Sequence, residues 1–167
     1  MNETPQIYVA CLASYNAGHL FGEWLDVDSD AEDLGEAITE LISRSPARDA
    51  EEYAIHDHEN FQGFNVGEFS SLSEVCKAAE LIEQHGPAFG AACAVFVNDE
   101  IEQALTERYR GAWESAAEYA EDWADQCGDL ANVPDSVRGY IDWESYARDM
   151  CITEVRLNGE VHVFDNY

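Results

Sequence analysis

The sequence predicts an α+β chain made of three small domains, and three observations carry that expectation. First, Asn158-Gly159 stands between two alternating runs at residues 152–157 and 160–164; a type I′ turn needs positive φ at both central residues, so this pair is the strongest hairpin signal in the chain. Second, Ser29-x-x-Glu32, Ser71-x-x-Glu74 and Ser115-x-x-Glu118 each precede apolar residues at helical spacing. In that pattern a hydroxyl and a carboxyl each accept from a backbone N–H left open at the start of a helix. Third, residues 63–67 combine glycine with little periodicity, which marks a boundary. The resulting division is residues 1–64 as an antiparallel sheet plus helix, 65–107 as a helical middle unit, and 108–167 as a second α+β unit ending in the hairpin.

Taken in order, residues 7–13 (IYVACLA) are rich in β-formers and read as a strand, followed by a turn at 15–18 and a returning strand at 19–27. After the Ser29 cap, Leu34, Ala37, Ile38, Leu41 and Ile42 recur at helical spacing, with a stop near Ser45-Pro46. Residues 52–59 (EYAIHDHE) alternate and read as a third strand. Beyond the boundary, Leu72, Val75, Cys76, Ala79 and Ile82 form a helical stripe ending at His85-Gly86-Pro87, and the apolar runs 88–97 and 101–108 read as helical because Ala outweighs β-branched residues. Residues 108–113 read as a strand leading into an acidic helix that ends at Gly128. Pro134 is placed at the first position of a short helix, and Asp142 caps another that carries Trp143, Tyr146, Ala147 and Met150.

The acidic helix is the most unusual stretch. On a helix spanning residues 114–129, Glu114, Glu118, Glu121, Asp122, Asp125 and Asp129 fall within about 100° of arc, while Ala116, Tyr119, Ala120, Trp123, Ala124 and Cys127 take the opposite arc as a core face. No Lys or Arg lies between Arg110 and Arg138. Like charges at this spacing repel, so the stripe costs stability and calls for an explanation outside folding. A second acidic group, Asp28, Asp30, Glu32, Asp33 and Glu36, opens the first helix.

The charge is a property of the whole chain. Against 35 Asp and Glu stand 8 Lys and Arg, a formal net charge of −27, distributed as 14 acids to 2 bases over residues 1–66, 7 to 1 over 67–103 and 14 to 5 over 104–167. With 46% hydrophobic and 11% aromatic residues this is no disordered acidic tail. A folded surface of this sign repels nucleic acid and anionic membranes and attracts basic surfaces through a long-range field. The expectation is therefore a basic protein partner, no direct nucleic-acid binding and no membrane partner. A salt-adapted surface is the bland alternative. Cys11, Cys76, Cys93, Cys127 and Cys151 are unclustered, lie in apolar surroundings and form no C-x-x-C, which fits buried reduced thiols in a cytoplasmic protein. The N-terminus carries no signal-peptide pattern, and no run of about 18 apolar residues spans a membrane.

The remaining candidate sites read as surface. His56-Asp57-His58-Glu59 is the most site-like cluster for zinc, but on a strand the two histidines share one face and the two acids the other. Asp26-x-Asp28-x-Asp30 opens like a calcium loop, yet Ala31 and Ala37 stand where the loop needs Gly and Glu. There is no nucleophile elbow, phosphate loop or dinucleotide fingerprint. With 35 carboxylates a glycosidase-type pair stays open, although nothing marks one pair over the others. The expectation is no enzyme, no cofactor and no metal site.

Duplex DNA carries one negative charge per ~1.7 Å of axis, so 27 charges at that density cover about 46 Å and a symmetric dimer about 90 Å. Carboxylates arrayed on folded elements can offer a DNA-binding groove the charge pattern its Lys and Arg are built to meet. The chain also resembles the ArdA antirestriction family of mobile genetic elements over essentially its whole length. The residues that carry the likeness are IYVACLASYNAGHLFGEWLD, EEYAIHDHENFQGF, VPDSVRGYIDWESYARDM and EVHVFDNY. The resemblance implies an elongated, curved dimer of three-domain chains that mimics DNA and occupies the DNA-binding groove of type I restriction-modification enzymes, at their methyltransferase core. It implies dimerisation through the C-terminal domain, carried here onto Val133, Val137, Tyr140, Ile141, Trp143 and Tyr146; Trp143 is a mild departure from a Tyr of the family pattern. An acidic adaptor or inhibitor of another basic DNA-binding protein is the alternative.

Overall fold

A computed structural model describes residues 4–166. The chain is mixed α+β with two three-stranded antiparallel sheets, and it divides into two compact units, Met1–Gly90 and Ala91–Tyr167.

In the first unit, β1 (Gln6–Cys11) is the central strand, flanked by β2 (Gly22–Asp26) and β3 (Tyr53–Glu59). Its central place explains why Ile7, Val9, Ala10 and Cys11 are fully buried. The expected strand at 7–13 stops short. Leu12–Asn16 coils into the short helix α1, in which Ala17 N–H donates to the carbonyls of Ala13 and Ser14. The buried Ser14 hydroxyl meets Ser45 Oγ at 2.8 Å, which gives that turn a reason to fold inward. Once β1 ends at Cys11, His19 and Leu20 have no strand opposite, so β2 begins at Gly22 rather than at residue 19.

The helix α2 (Ala31–Ser43) buries Leu34, Ile38, Leu41 and Ile42 as its spacing predicts. Its cap is one residue later than expected: Asp30, not Ser29, accepts from the N–H groups of Glu32 and Asp33 at 2.9 and 3.1 Å. A carboxylate is the stronger acceptor facing the positive helix end, and Asp28 accepts from Asp30 N–H at 2.8 Å to fix the approach. The helix α3 (Leu72–His85) carries the capping box as read, with Ser71 Oγ accepting from Glu74 N–H and Glu74 Oε2 from Ser71 N–H. It packs against α2. The unit ends within α4 (Pro87–Cys93), where Phe89 is fully buried 6.0 Å, centroid to centroid, from Phe64.

In the second unit α5 (Asn98–Gln103) runs into a π-helical turn, Ala104–Arg108. β4 (Tyr109–Trp113) follows as expected, then α6 (Ala116–Gln126), α7 (Asp135–Arg138), α8 (Trp143–Asp149) and the strands β5 (Ile152–Leu157) and β6 (Glu160–Asp165). Asn158 and Gly159 have φ of 53° and 93°, the pair of positive values the hairpin reading requires. Asp142 caps α8 by accepting from Ser145 N–H at 3.0 Å, and the Ser145 hydroxyl, which donates to it at 2.7 Å, joins that N–H in holding its carboxyl below the usual aspartate range. Pro134 is the residue before α7 rather than its first turn.

The strand β6 lies between β4 and β5, so Val161, His162, Val163 and Phe164 are all buried. The core there consists of Tyr119, Val161 and Val163, with Trp113, Met150 and Ile152 packed against it. His162 is a polar guest in this core: Nδ1 meets Tyr109 Oη at 3.0 Å, and Nε2 has no hydrogen-bond partner among the described residues. Burial pushes its pKa down, only partly countered by Glu160.

All five cysteines are free. Cys11 and Cys76 are buried, and burial raises the Cys76 thiol to about 11. Cys127 and Cys151 are exposed, against expectation, because both lie in turns at helix or strand ends. No helix among the described residues is long and apolar enough to cross a membrane.

Candidate functional site

The acidic stripe is built on α6, and the sequence draws its limits tightly. Ser115 is extended, with φ of −155°, and its hydroxyl accepts from Glu118 N–H at 3.1 Å. The Glu118 carboxylate accepts in turn from Glu114 N–H at 2.7 Å, one residue before the cap. At the other end Gly128 turns the chain at φ 83°. The helix is therefore 11 residues long, and Glu114 and Asp129 flank it rather than ride on it. That corrects the expectation of six acids on one continuous helix. Four lie on α6 itself: Glu118, Glu121 and Asp125 are exposed, and Asp122 is half-buried, accepting from Gln126 Nε2.

The core face also differs from expectation. Tyr119, Ala120 and Ala124 are buried, whereas Trp123 is 38% exposed and Cys127 is exposed. An 11-residue helix lying against α8 and the β4–β6–β5 sheet has no partner beyond its last turn, so the edge of its apolar arc stays open.

The stripe has one cation that the local sequence hides. Arg138 reaches back over 13 residues to Asp125 Oδ1 at 3.4 Å, while also meeting Asp135 at 3.6 Å and donating to the Leu130 and Val133 carbonyls. The only local sign of Arg138's role is its i,i+3 spacing from Asp135. Arg110, at the other boundary of the base-free run, is drawn to Asp165 at 2.6 Å. Glu114, Glu118, Glu121 and Asp129 are left facing solvent.

The second acidic group, in the first unit, is Asp28, Asp30, Glu32, Asp33 and Glu36, all exposed. Here the acids serve the helix. Asp28 and Asp30 accept backbone N–H groups, and Glu32 and Asp33 sit in the first turn where the helix dipole favours negative charge.

The six apolar residues assigned to a dimer contact occupy one segment of the second unit. Val133 and Ile141 are half-buried, Val137 is 47% exposed and Tyr140 is 89% exposed around α7. Trp143 and Tyr146 stand on α8 with ring centroids 5.5 Å apart, and Tyr146 Oη donates to Asp129 at 3.3 Å. A tyrosine exposed to that degree beside an exposed valine has apolar surface available to a partner.

The His56–Glu59 cluster takes a shape the alternation did not foresee. β3 pairs Asp57 with Tyr8 but Ile55 with Val9, so His56 is the extra residue of a β-bulge. Its ring stands 4.8 Å from Tyr15, and His58 stands 5.9 Å from Phe61. No group of three or more His, Cys, Asp or Glu among the described residues is arranged to hold a metal ion.

A family model described as antirestriction protein (ArdA) matches residues 7–165. No curated protein matches the chain.

Proposed function

Since the chain belongs to the ArdA antirestriction family, we propose that it acts by occupying the DNA-binding groove of a type I restriction-modification enzyme, presenting fixed carboxylates where DNA would present phosphates. The observation that carries this reading is the run of exposed acids on and beside α6, which are set at like-charge spacing and face solvent. Groups i,i+3 and i,i+4 apart on a helix repel by about 0.2–0.5 kcal/mol per pair. Such an array is a cost to folding and a gain only when a cationic surface arrives.

The physics of the encounter follows from the groove. Lys and Arg that grip phosphate make charge-assisted hydrogen bonds equally well to carboxylate. Acids held on a helix and on ordered turns lose little freedom on binding, which lowers the entropic cost relative to flexible anions. The mechanism is occupation without chemistry, and it needs no cofactor. On this reading the chain works as a homodimer joined through Val133, Val137, Tyr140, Ile141, Trp143 and Tyr146, so that two α6 stripes lie near its centre. The three-part division at residues 1–64, 65–107 and 108–167 belongs to the same proposal, each part acidic, as does action in the cytoplasm.

The test is a titration of a type I methyltransferase core. Sub-micromolar, salt-sensitive binding that displaces duplex DNA supports the reading, and binding that excess DNA leaves untouched contradicts it.

A further inference from the structure

A cavity of about 540 Å³ opens in the second unit between α6, α8 and the outer ends of β5 and β6. Tyr119 and Trp123 line it from α6, Tyr146 and Asp149 from α8, Met150 from the turn that follows, and Asp165 from β6. Trp123 is the open wall at 38% exposure, and no Lys, Arg or His is among the lining residues. Asp165 is already engaged by Arg110, while Asp149 is exposed and has no ion-pair partner among the described residues.

We infer that this cavity receives one arginine side chain of the basic partner, with its guanidinium stacked on the Trp123 indole and facing Asp149. The inference rests on the proposed encounter with a basic groove and names a side chain that the groove delivers. The chemistry selects this occupant in two steps. An apolar group entering the cavity would strip water from Asp149 without replacing it, whereas a cation on an aliphatic stem covers Met150 and the rings and meets the carboxylate. Between the two cations, a planar, weakly hydrated guanidinium stacks on an indole face where a compact ammonium cannot. The cavity would thus act as an anchor point beside the charge track, and its stacking contact with Trp123 would add energy that does not depend on counterion release.

Two measurements test it on the full chain. In the first, acetyl-arginine amide is titrated at constant ionic strength and the Trp123 indole N–H resonance is followed, assigned by its loss in Trp123→Phe. A saturable shift with the arginine probe and little with the neutral isostere acetyl-citrulline amide supports the inference. No saturable shift, or an equal response to both, overturns it. In the second, Trp123→Leu is titrated against the methyltransferase core after circular dichroism has confirmed its fold. Affinity should fall roughly fivefold to thirtyfold, the range expected for losing one cation–π contact, with the slope of log K against log salt unchanged. Wild-type affinity for the variant overturns the inference and leaves the proposed function standing. If the wild-type chain fails to displace DNA, the proposed function fails, and the arginine and citrulline titrations alone decide the cavity.

Discussion

The two acidic helices, α2 in the first unit and α6 in the second, resemble each other in sequence and differ in what their acids do. In α2 more of the charge sits at the start: Asp30 caps the helix and Glu32 and Asp33 lie in the first turn, with Glu36 and Glu40 farther along, and the C-cap residue Arg44 pairs with Glu23 at 2.9 Å. In α6 a serine provides the cap, Glu118 alone lies in the first turn, and Glu121, Asp122 and Asp125 extend toward the carbonyl end, where the last turn holds no base, as in α2, and Arg138 meets only Asp125 of these, from outside the helix. Negative charge there opposes the helix dipole. Much of the acidity of α2 is thus explained by folding. That of α6 is not, and this is why α6 is the better place to look for function.

Exchanging charge should separate the helices most strongly in binding. Reversing Glu118, Glu121 and Asp125 to Lys is expected to weaken binding to the methyltransferase core by roughly 100-fold, at about 1 kcal/mol per exposed carboxylate. The same three reversals at Glu32, Asp33 and Glu36 should cost about tenfold or less. Equal losses in a competition assay would erase the distinction.

The next effect concerns pH, and it belongs to the unit that carries α6 without involving its acids. His162 has a depressed folded pKa because its neutral ring is buried. The unfolded state therefore binds the extra proton first. The stability contribution is fully present above about pH 6.5 and is lost as pH falls from there toward the folded pKa, with a slope of at most one proton, ~1.4 kcal/mol per pH unit. Urea titrations between pH 7 and 5 should show this loss, and His162→Phe should flatten it.

Smaller effects divide the helices in stability. Asp30→Ala should destabilise the first unit by about 1 kcal/mol, the ordinary value of a lost cap, read as a shift in the denaturation midpoint. Glu121→Gln should do the reverse, stabilising the second unit by about 0.2–0.5 kcal/mol through relief of i,i+4 repulsion with Asp125. Were both substitutions destabilising, the claim that α6 holds its acids at a folding cost would fail.

The parts of the fold legible in the sequence are those set by local chemistry. The Asn158-Gly159 turn, the Ser71–Glu74 box and the Asp142 cap each depend on residues within four positions, and each stands where the spacing placed it. The misreadings involve a distant partner or a competition between neighbours. Asp30 outcompetes Ser29 because a carboxylate is the better acceptor. β1 stops at Cys11 because the Leu12–Asn16 turn packs its serine onto Ser45. The bulge at His56 is a matter of register with β1, and register is invisible in β3 alone. The candidate site shows the same split: the acids of α6 were plain from their period, while the return of Arg138 to Asp125 and the exposure of Trp123 depend on how α7 and α8 fold back.

The most direct test of DNA mimicry is to measure how the chain's affinity for a type I methyltransferase core depends on salt, with duplex DNA as competitor. Mimicry predicts full mutual displacement and a steep linear fall of log K with log salt, shallower for the Glu118, Glu121 and Asp125 triple reversal than for wild type. A complex that forms on top of bound DNA, or whose affinity is indifferent to salt, would contradict it.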